Sequence, residues 1–288
     1  MNKLLSDLLR LLELERIEIN LFRGESRDIG SPQVFGGQVL GQALVAASST
    51  VEARAVHSLH AYFLRRGDFN APIVYEVDRS RDGGSFSSRR VVAIQHGQQI
   101  FHMSASFQAP EVGLDHQIAA PVVPPPEQLP DYTAALRSRL ARLSPERQRV
   151  WASERPWEFR PVEPPATGPL PPESNRHVWF RLTGPCPDDP ILHRCLLAYL
   201  SDFQLLETAL LPHGVSHFDG TLTMASIDHA MWFHRPVRID EWLLYVLVSP
   251  SASGSRGFAV GRVYDRAGAL VASVAQEGLM RLRSPAAT

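Results

Sequence analysis

Apolar and polar residues alternate through two long runs of this chain, and a helix-like segment precedes each run. In the first run, strand character covers 57–64, 73–77, 85–95 and 99–108, with turns at Arg66-Gly67-Asp68, Asp82-Gly83-Gly84 and His96-Gly97. In the second it covers 222–234, 242–248, 256–264 and 269–282. Ahead of the first run, 35–50 is rich in small residues and apolar on nearly all sides, which predicts a helix buried against other backbone. Ahead of the second, 191–211 reads as one long helix, opened by Asp188-Asp189-Pro190 and closed by Pro212-His213-Gly214. Leu4, Leu8 and Leu11 or Leu12 mark a short amphipathic helix at the start, and Ile17, Ile19 and Leu21 alternate as a strand. Two further strands are expected at 157–161 and 177–182.

The two runs lie on each other at an offset of 170 residues without a gap: Phe63/Phe233, Arg65/Arg235, Tyr75/Tyr245, Gly84/Gly254, Ser85/Ser255 and Ala105/Ala275 coincide. With the repeated order of strand, helix and meander, this points to an internal duplication, two sheets each wrapping a helix and pairing within one chain. Between them the composition changes. Prolines cluster at Pro121, Pro124, Pro125 and Pro126 and again from Pro161 to Pro172, with arginine-rich helical stretches at 132–142 and 145–153. The expected organisation is a first domain at 1–110, a linker with short helices at 111–155 and a second domain at 156–288, an α+β architecture.

Composition narrows the class. A 288-residue chain with 44% hydrophobic and 20% charged residues holds a sizeable core and is not disordered. A net charge of −1 offers no global basic field, so no nucleic-acid partner is expected. No stretch of eighteen uncharged apolar residues is present, so no membrane span is expected. Two cysteines, Cys186 and Cys195, match no metal or redox spacing and fit buried thiols in a reducing compartment. The leucine-rich start carries Asp7, Arg10 and Glu13 and lacks a cleavage site, and the C-terminal Ser-Pro-Ala-Ala-Thr is no peroxisomal address, so the cytoplasm is the expected location.

Candidate chemistry gathers around 221–236, where a serine, an aspartate, two histidines and an arginine sit in an otherwise apolar strand. His229 and His234 fall on opposite faces of a regular strand, which argues against a metal site. Ser226 in this stretch, Asp202 in the apolar helix and Gln276 in the last strand are polar groups at core positions. Together they could hold and activate a water, the carboxylate as base and the neutral groups as orienters. Singly, each also fits an ordinary role: a helix face turned to solvent for Asp202, strand polarity for the other two. Gly36-Gly37 before the buried helix reads either as an anion-binding helix start or as room for close helix packing.

The stretches 34–43, 57–65, 81–91, Tyr199-Leu-Ser-Asp202, 227–236 and Gln276-Glu-Gly-Leu-Met-Arg281 together resemble the acyl-CoA thioesterase II family, bacterial enzymes and their peroxisomal relatives with a double hotdog fold. The resemblance runs from Val34 to Arg281, nearly the whole chain. It implies hydrolysis of acyl-CoA to free acid and coenzyme A with no cofactor, and catalytic roles for Asp202, Ser226 and Gln276. Serine stands where close family members often carry threonine, which keeps the hydroxyl and loses a methyl. A backbone N–H of Gly36 or Gly37 is the expected oxyanion donor. Arg65, Arg89, Arg90 and Arg235 are candidates to grip coenzyme A by charge alone, structural roles being equally open. Paired hotdogs often associate through exposed edges, so a homo-oligomer is expected. Two other readings stay open: a hydratase or dehydratase on the same substrates, with His57 as base, and a non-catalytic acyl-CoA binding protein.

Overall fold

The computed structural model describes residues 2–31, 33–141 and 143–283, so the C-terminal Ser-Pro-Ala-Ala-Thr and Arg142 of the expected 132–142 helix lie outside it. Helix α1 (Lys3–Leu12) is capped by Asn2, whose side chain accepts the Leu4 N–H. It buries Leu5, Leu8, Leu9, Leu11 and Leu12, while Leu4 is only half-buried. The alternation at Ile17, Ile19 and Leu21 resolves into a hairpin instead of one strand, β1 (Glu15–Glu18) and β2 (Leu21–Gly24). Glu18 turns back to accept its neighbour's N–H, and Arg16 bonds the carbonyls of Glu18 and Ile19, which closes the turn and leaves Ile17 and Ile19 exposed.

Helix α2 (Gly36–Ser48) is buried along almost its whole length, as its all-round apolarity predicts. Around it run β3 (Ala55–Phe63), β4 (Ile73–Asp82), β5 (Phe86–Gln95) and β6 (Gln98–Gln108). The connecting segment carries three short helices, α3 (Tyr132–Ala135), α4 (Arg137–Leu140) and α5 (Pro145–Ala152), where the first two had read as one. Extended pieces of it are tied to the second half: Trp179 donates to the Pro124 carbonyl, and Gln117 bonds both Gly268 and Leu270.

The second half repeats the plan with β7 (Trp157–Pro161), β8 (Arg176–Leu182), α6 (Pro190–Ser201), α7 (Leu205–Thr208), β9 (Leu222–Ser226), β10 (Asp228–Phe233), β11 (Leu243–Ser253), β12 (Arg256–Tyr264) and β13 (Leu270–Leu282). Every strand pairing is antiparallel, and one sheet runs β1-β2-β4-β5-β6-β3-β10-β13-β12-β11-β8-β7, with β9 on β13. The halves therefore join edge to edge at β3 and β10, in a register that sets His60 opposite Ala230. The duplication extends to irregularities. Register shifts fall at Asp78/Arg81 and Ala93/Ile94 in the first half and at Val248/Ser251 and Val263/Tyr264 in the second, each at the same offset of 170. A bulge is an inherited feature of a strand, not noise, so this match is stronger support than the residue identities.

Helices α2 and α6 pack directly on each other. The contact is close because Gly37 has no side chain: a Cβ there would stand 2.2 Å from the Tyr199 carbonyl oxygen. The α2 start thus meets the α6 end.

Candidate active site

The helix expected over 191–211 stops at Asp202. Gln204 adopts a left-handed backbone with φ 69°, which breaks the run of helical hydrogen bonds, and α7 starts afresh behind it. Arg176 donates to the Gln204 side chain, and the Thr208 hydroxyl donates to its carbonyl, so the turn is held from both sides. Phe203 is gripped by Phe35, Trp157 and Phe159, with ring centroids 4.3, 5.1 and 5.7 Å away. Asp202 consequently leaves the carbonyl end of α6, where the helix dipole disfavours a negative charge.

Its partners reverse that. The Gly37 N–H, in the first turn of α2, donates to Asp202 Oδ2 at 2.9 Å. Gln276 Nε2 donates to Oδ1 at 2.7 Å, and the Ser226 hydroxyl reaches the same oxygen at 3.4 Å, beyond the range of a strong O–H···O bond. The carboxylate is 5% exposed and Gln276 is fully buried. A buried carboxylate this far from water needs such donors, because an unpaired one is costly by several kcal/mol.

A bulge at Ile227 brings the strand residues in. The Ile227 N–H bonds the Glu277 carbonyl, the Ile227 carbonyl accepts from Phe63, and Asp228 accepts the Glu277 N–H at 2.6 Å. Burial pushes the Asp228 carboxyl upward from its usual range, against that hydrogen bond. Across the bulge, Ser226 and His229 both face Asp202, although three residues apart in a regular strand would place them on opposite sides. His229 Nδ1 lies 3.9 Å from Asp202 Oδ1 and 3.3 Å from Gln276 Nε2, and its Nε2 lies 2.9 Å from the Ser201 hydroxyl. Burial pushes this imidazole down to about 4, with the Asp202 charge pulling the other way. His229, outside the expected catalytic set, thus lies against it, and it faces away from the exposed His234 as strand spacing predicts. No glycine or proline marks the bulge in Ser226-Ile227-Asp228, so the sequence carries no signal for it, although the same shift recurs at Val56/Ser58 in the first half.

Ser226 opens onto a small pocket of about 60 Å³, lined also by Gly36, Val39, Phe63, Arg65 and Phe101. Gly36 separates this space from the carboxylate: a Cβ there would stand 2.7 Å from Asp202 Oδ2. The structure therefore brings together Asp202, Ser226, Gln276, Gly36 and Gly37. Both readings of the glycines hold at Gly37, whose N–H is engaged by Asp202 and so is not open to an oxyanion.

The arginines divide. Arg65 is at the pocket, its guanidinium donating to the Gln99 carbonyl at 2.6 Å. Arg89 is 2% exposed and spends its donors on Thr50, Asp82 and the carbonyls of Arg81 and Ser88, so it is a structural ion pair with nothing left for coenzyme A. Arg90 is exposed on the sheet face opposite to Arg89, away from the helices. Arg235 bonds the Leu270 carbonyl and pairs with Asp115 of the connecting segment. His57, the base of the hydratase reading, bonds Ser106 at 2.8 Å, and His234 bonds Ser273 at 2.8 Å. Among the described residues no group of three or more metal-binding side chains occurs.

Two helices back to back in a wrapped antiparallel sheet, with a buried carboxylate between helix ends, define a double hotdog protein. A solved hot dog fold protein from Alicyclobacillus acidocaldarius shares it at TM-score 0.76 and 20% identity, covering 96% of this chain and 98% of that one. The family model described as acyl-CoA thioesterase matches 152–279, and that of the acyl-CoA thioesterase N-terminal domain matches 23–108. Acyl-CoA thioesterase 2 of Haemophilus influenzae is 43% identical over 284 residues, 98% of this chain and 99% of its own. Human acyl-coenzyme A thioesterase 8 is 42% identical, over 95% of this chain and 88% of its own. The crystal structure of an acyl-CoA thioesterase II from Mycobacterium marinum superposes with TM-score 0.79 at 44% identity, covering 97% of this chain and 98% of that one. The chain belongs to the acyl-CoA thioesterase II family.

Proposed function

We propose that this protein hydrolyses acyl-CoA thioesters to the free carboxylic acid and coenzyme A by direct attack of water. The observation that carries the reading is the nearly dry Asp202 carboxylate, held by Gly37 and Gln276 while Ser226 faces a pocket. Water enters beside Ser226 and gives a proton to Asp202 as its oxygen bonds the thioester carbonyl carbon. The carbonyl oxygen takes the negative charge and is met by the Gly36 N–H at the positive end of α2. Collapse of the tetrahedral intermediate breaks the C–S bond, and the departing thiolate takes the proton held by Asp202, which restores the carboxylate. No acyl-enzyme forms. Arg65 is the remaining arginine placed to meet the coenzyme A end of the substrate.

The test is free-thiol release from medium- and long-chain acyl-CoA. Wild type should release coenzyme A with every turnover, and Asp202→Asn should lower kcat by about 10²–10⁴-fold, the scale of a lost general base. Release at the wild-type rate by Asp202→Asn would remove Asp202 from the mechanism, and no release by wild type would favour a hydratase or a binding protein.

The protein is further proposed to work as a homo-oligomer in the cytoplasm. Val112, Leu114 and Val122 on the connecting segment are fully exposed and fit self-association, which light scattering would report as a mass above 32.0 kDa. Cys186 and Cys195 are both free and buried, in keeping with a reducing compartment. No helix among the described residues is long and apolar enough to cross a membrane.

A further inference from the structure

Hydrogen-bond accounting around Gln276 leaves one atom over. Its Nε2 carries two hydrogens: one goes to Asp202 Oδ1 at 2.7 Å and the other faces His229 Nδ1 at 3.3 Å. Its Oε1 is buried with no partner among the described residues. An acceptor left bare in a core is unusual and asks for a ligand atom.

The orientation of that amide follows from Ser201. A serine hydroxyl has one hydrogen, and Ser201 uses it on the Ala198 carbonyl at 2.9 Å. Toward His229 Nε2, also 2.9 Å away, Ser201 Oγ can then only accept. The proton of His229 therefore sits on Nε2, and Nδ1 is a bare acceptor aimed at Gln276. The low pKa of about 4 keeps the ring neutral at ordinary pH, in keeping with this assignment. Turning the Gln276 amide over would set Oε1 against two acceptors at once, Asp202 Oδ1 and His229 Nδ1.

We infer that His229 is a positioning residue for hydrolysis: the line Ala198–Ser201–His229 fixes the Gln276 carboxamide with its nitrogen on Asp202 and its oxygen free to accept a hydrogen bond from the attacking water. His229 touches neither water nor substrate and acts through Gln276. The inference rests on the reading of Asp202, Ser226 and Gln276 as the catalytic groups.

The experiment is steady-state hydrolysis of decanoyl-CoA by wild type, His229→Gln, His229→Asn, Ser201→Ala, Gln276→Ala and the double variant His229→Gln/Gln276→Ala. Glutamine at 229 keeps a donor for Ser201 and lacks the acceptor for Gln276, so kcat should fall roughly 10-fold with KM within about twofold. Asparagine can place its oxygen near the Nδ1 position and should restore most of the rate. In the Gln276→Ala background, His229→Gln should cost nothing more. Equal losses in the Gln and Asn variants, or losses that add to that of Gln276→Ala, would show a packing role and overturn the inference alone. Gln276→Ala working at the wild-type rate would overturn the catalytic reading and the inference with it. Should the His229 variants fail to fold, Ser201→Ala decides: it frees the tautomer, so kcat should fall in the wild type and not in Gln276→Ala, and the opposite pattern overturns the inference.

Discussion

The two halves are built from the same strands, bulges and buried helix, yet only one of them has a buried carboxylate. At the equivalent positions of the first half, Ser226 becomes Val56 and His229 becomes Leu59, and the strand register sets Ala105 where Gln276 stands. The residue closing the central helix changes from Asp202 to Ser49. Both strands bulge at the same place, Ile227 in one half and His57 in the other. The backbone device that gathers side chains toward a helix end is thus common property, and the halves differ in the side chains it gathers. The first half contributes something different: Gly36 and Gly37, the helix start that receives the carboxylate of the other half. One site is made from the donor end of one repeat and the acceptor end of the other.

Four experiments would break or sharpen this contrast. The largest effect is expected from Asp202→Ser, which gives the second half the first half's helix end. Its kcat should drop by about 10²–10⁴-fold in the thiol-release assay with the fold intact by circular dichroism. Next, Gly37→Ala tests the donor end. The new Cβ meets the Tyr199 carbonyl, and overpacking of this kind costs about 1–3 kcal/mol, which should appear as a lower midpoint in urea together with a loss of rate. The third concerns acid. His229 is neutral when folded, with a pKa near 4, while the unfolded chain takes up this proton near 6.5. Between those values the unfolded state binds more protons, so stability rises with pH there and falls on acidification from 6.5 to 4. At about 1.4 kcal/mol per decade the loss approaches roughly 3 kcal/mol, and urea titrations of wild type and His229→Asn at pH 7 and 4.5 should differ in this dependence. The smallest effect is expected from Ser49→Asp. A carboxylate alone at the first helix end has no Gln276 or Ser226 equivalent, so hydrolysis should stay within twofold of wild type by the estimate that distant surface changes rarely matter.

Much of this was legible beforehand. The alternation yields β5, β6, β12 and β13 to within one residue, because period-two patterning survives wherever one face is buried, while β4 and β11 each run five residues past their expected ends, into stretches exposed on both faces. Asp202, Ser226 and Gln276 stood out as polar residues in apolar surroundings, the same property that makes them need one another. What stayed hidden was geometry that breaks the local rule. The left-handed turn at Gln204 carries no glycine to announce it, so the helix read as continuous to Leu211. The bulge at Ile227 brings His229 to the same side as Ser226, a meeting that regular strand spacing does not offer. Arg89 illustrates the remaining gap, since charge alone cannot tell a ligand-binding arginine from one locked to Asp82 and Thr50.

The turn at Gln204 also decides which parts of the connecting segment can change length. Arg176 holds Gln204 and pairs with Glu207, and Glu207 accepts from Tyr132 at 3.3 Å. The aim of the Asp202 carboxylate is therefore anchored, three contacts away, to the segment between the repeats. Insertions near Val112 and Leu114, whose side chains rest on nothing within the chain, should leave the aim of Asp202 unchanged and show only in the oligomeric state. Insertions beside Tyr132 should detune the enzyme without altering any residue of its site.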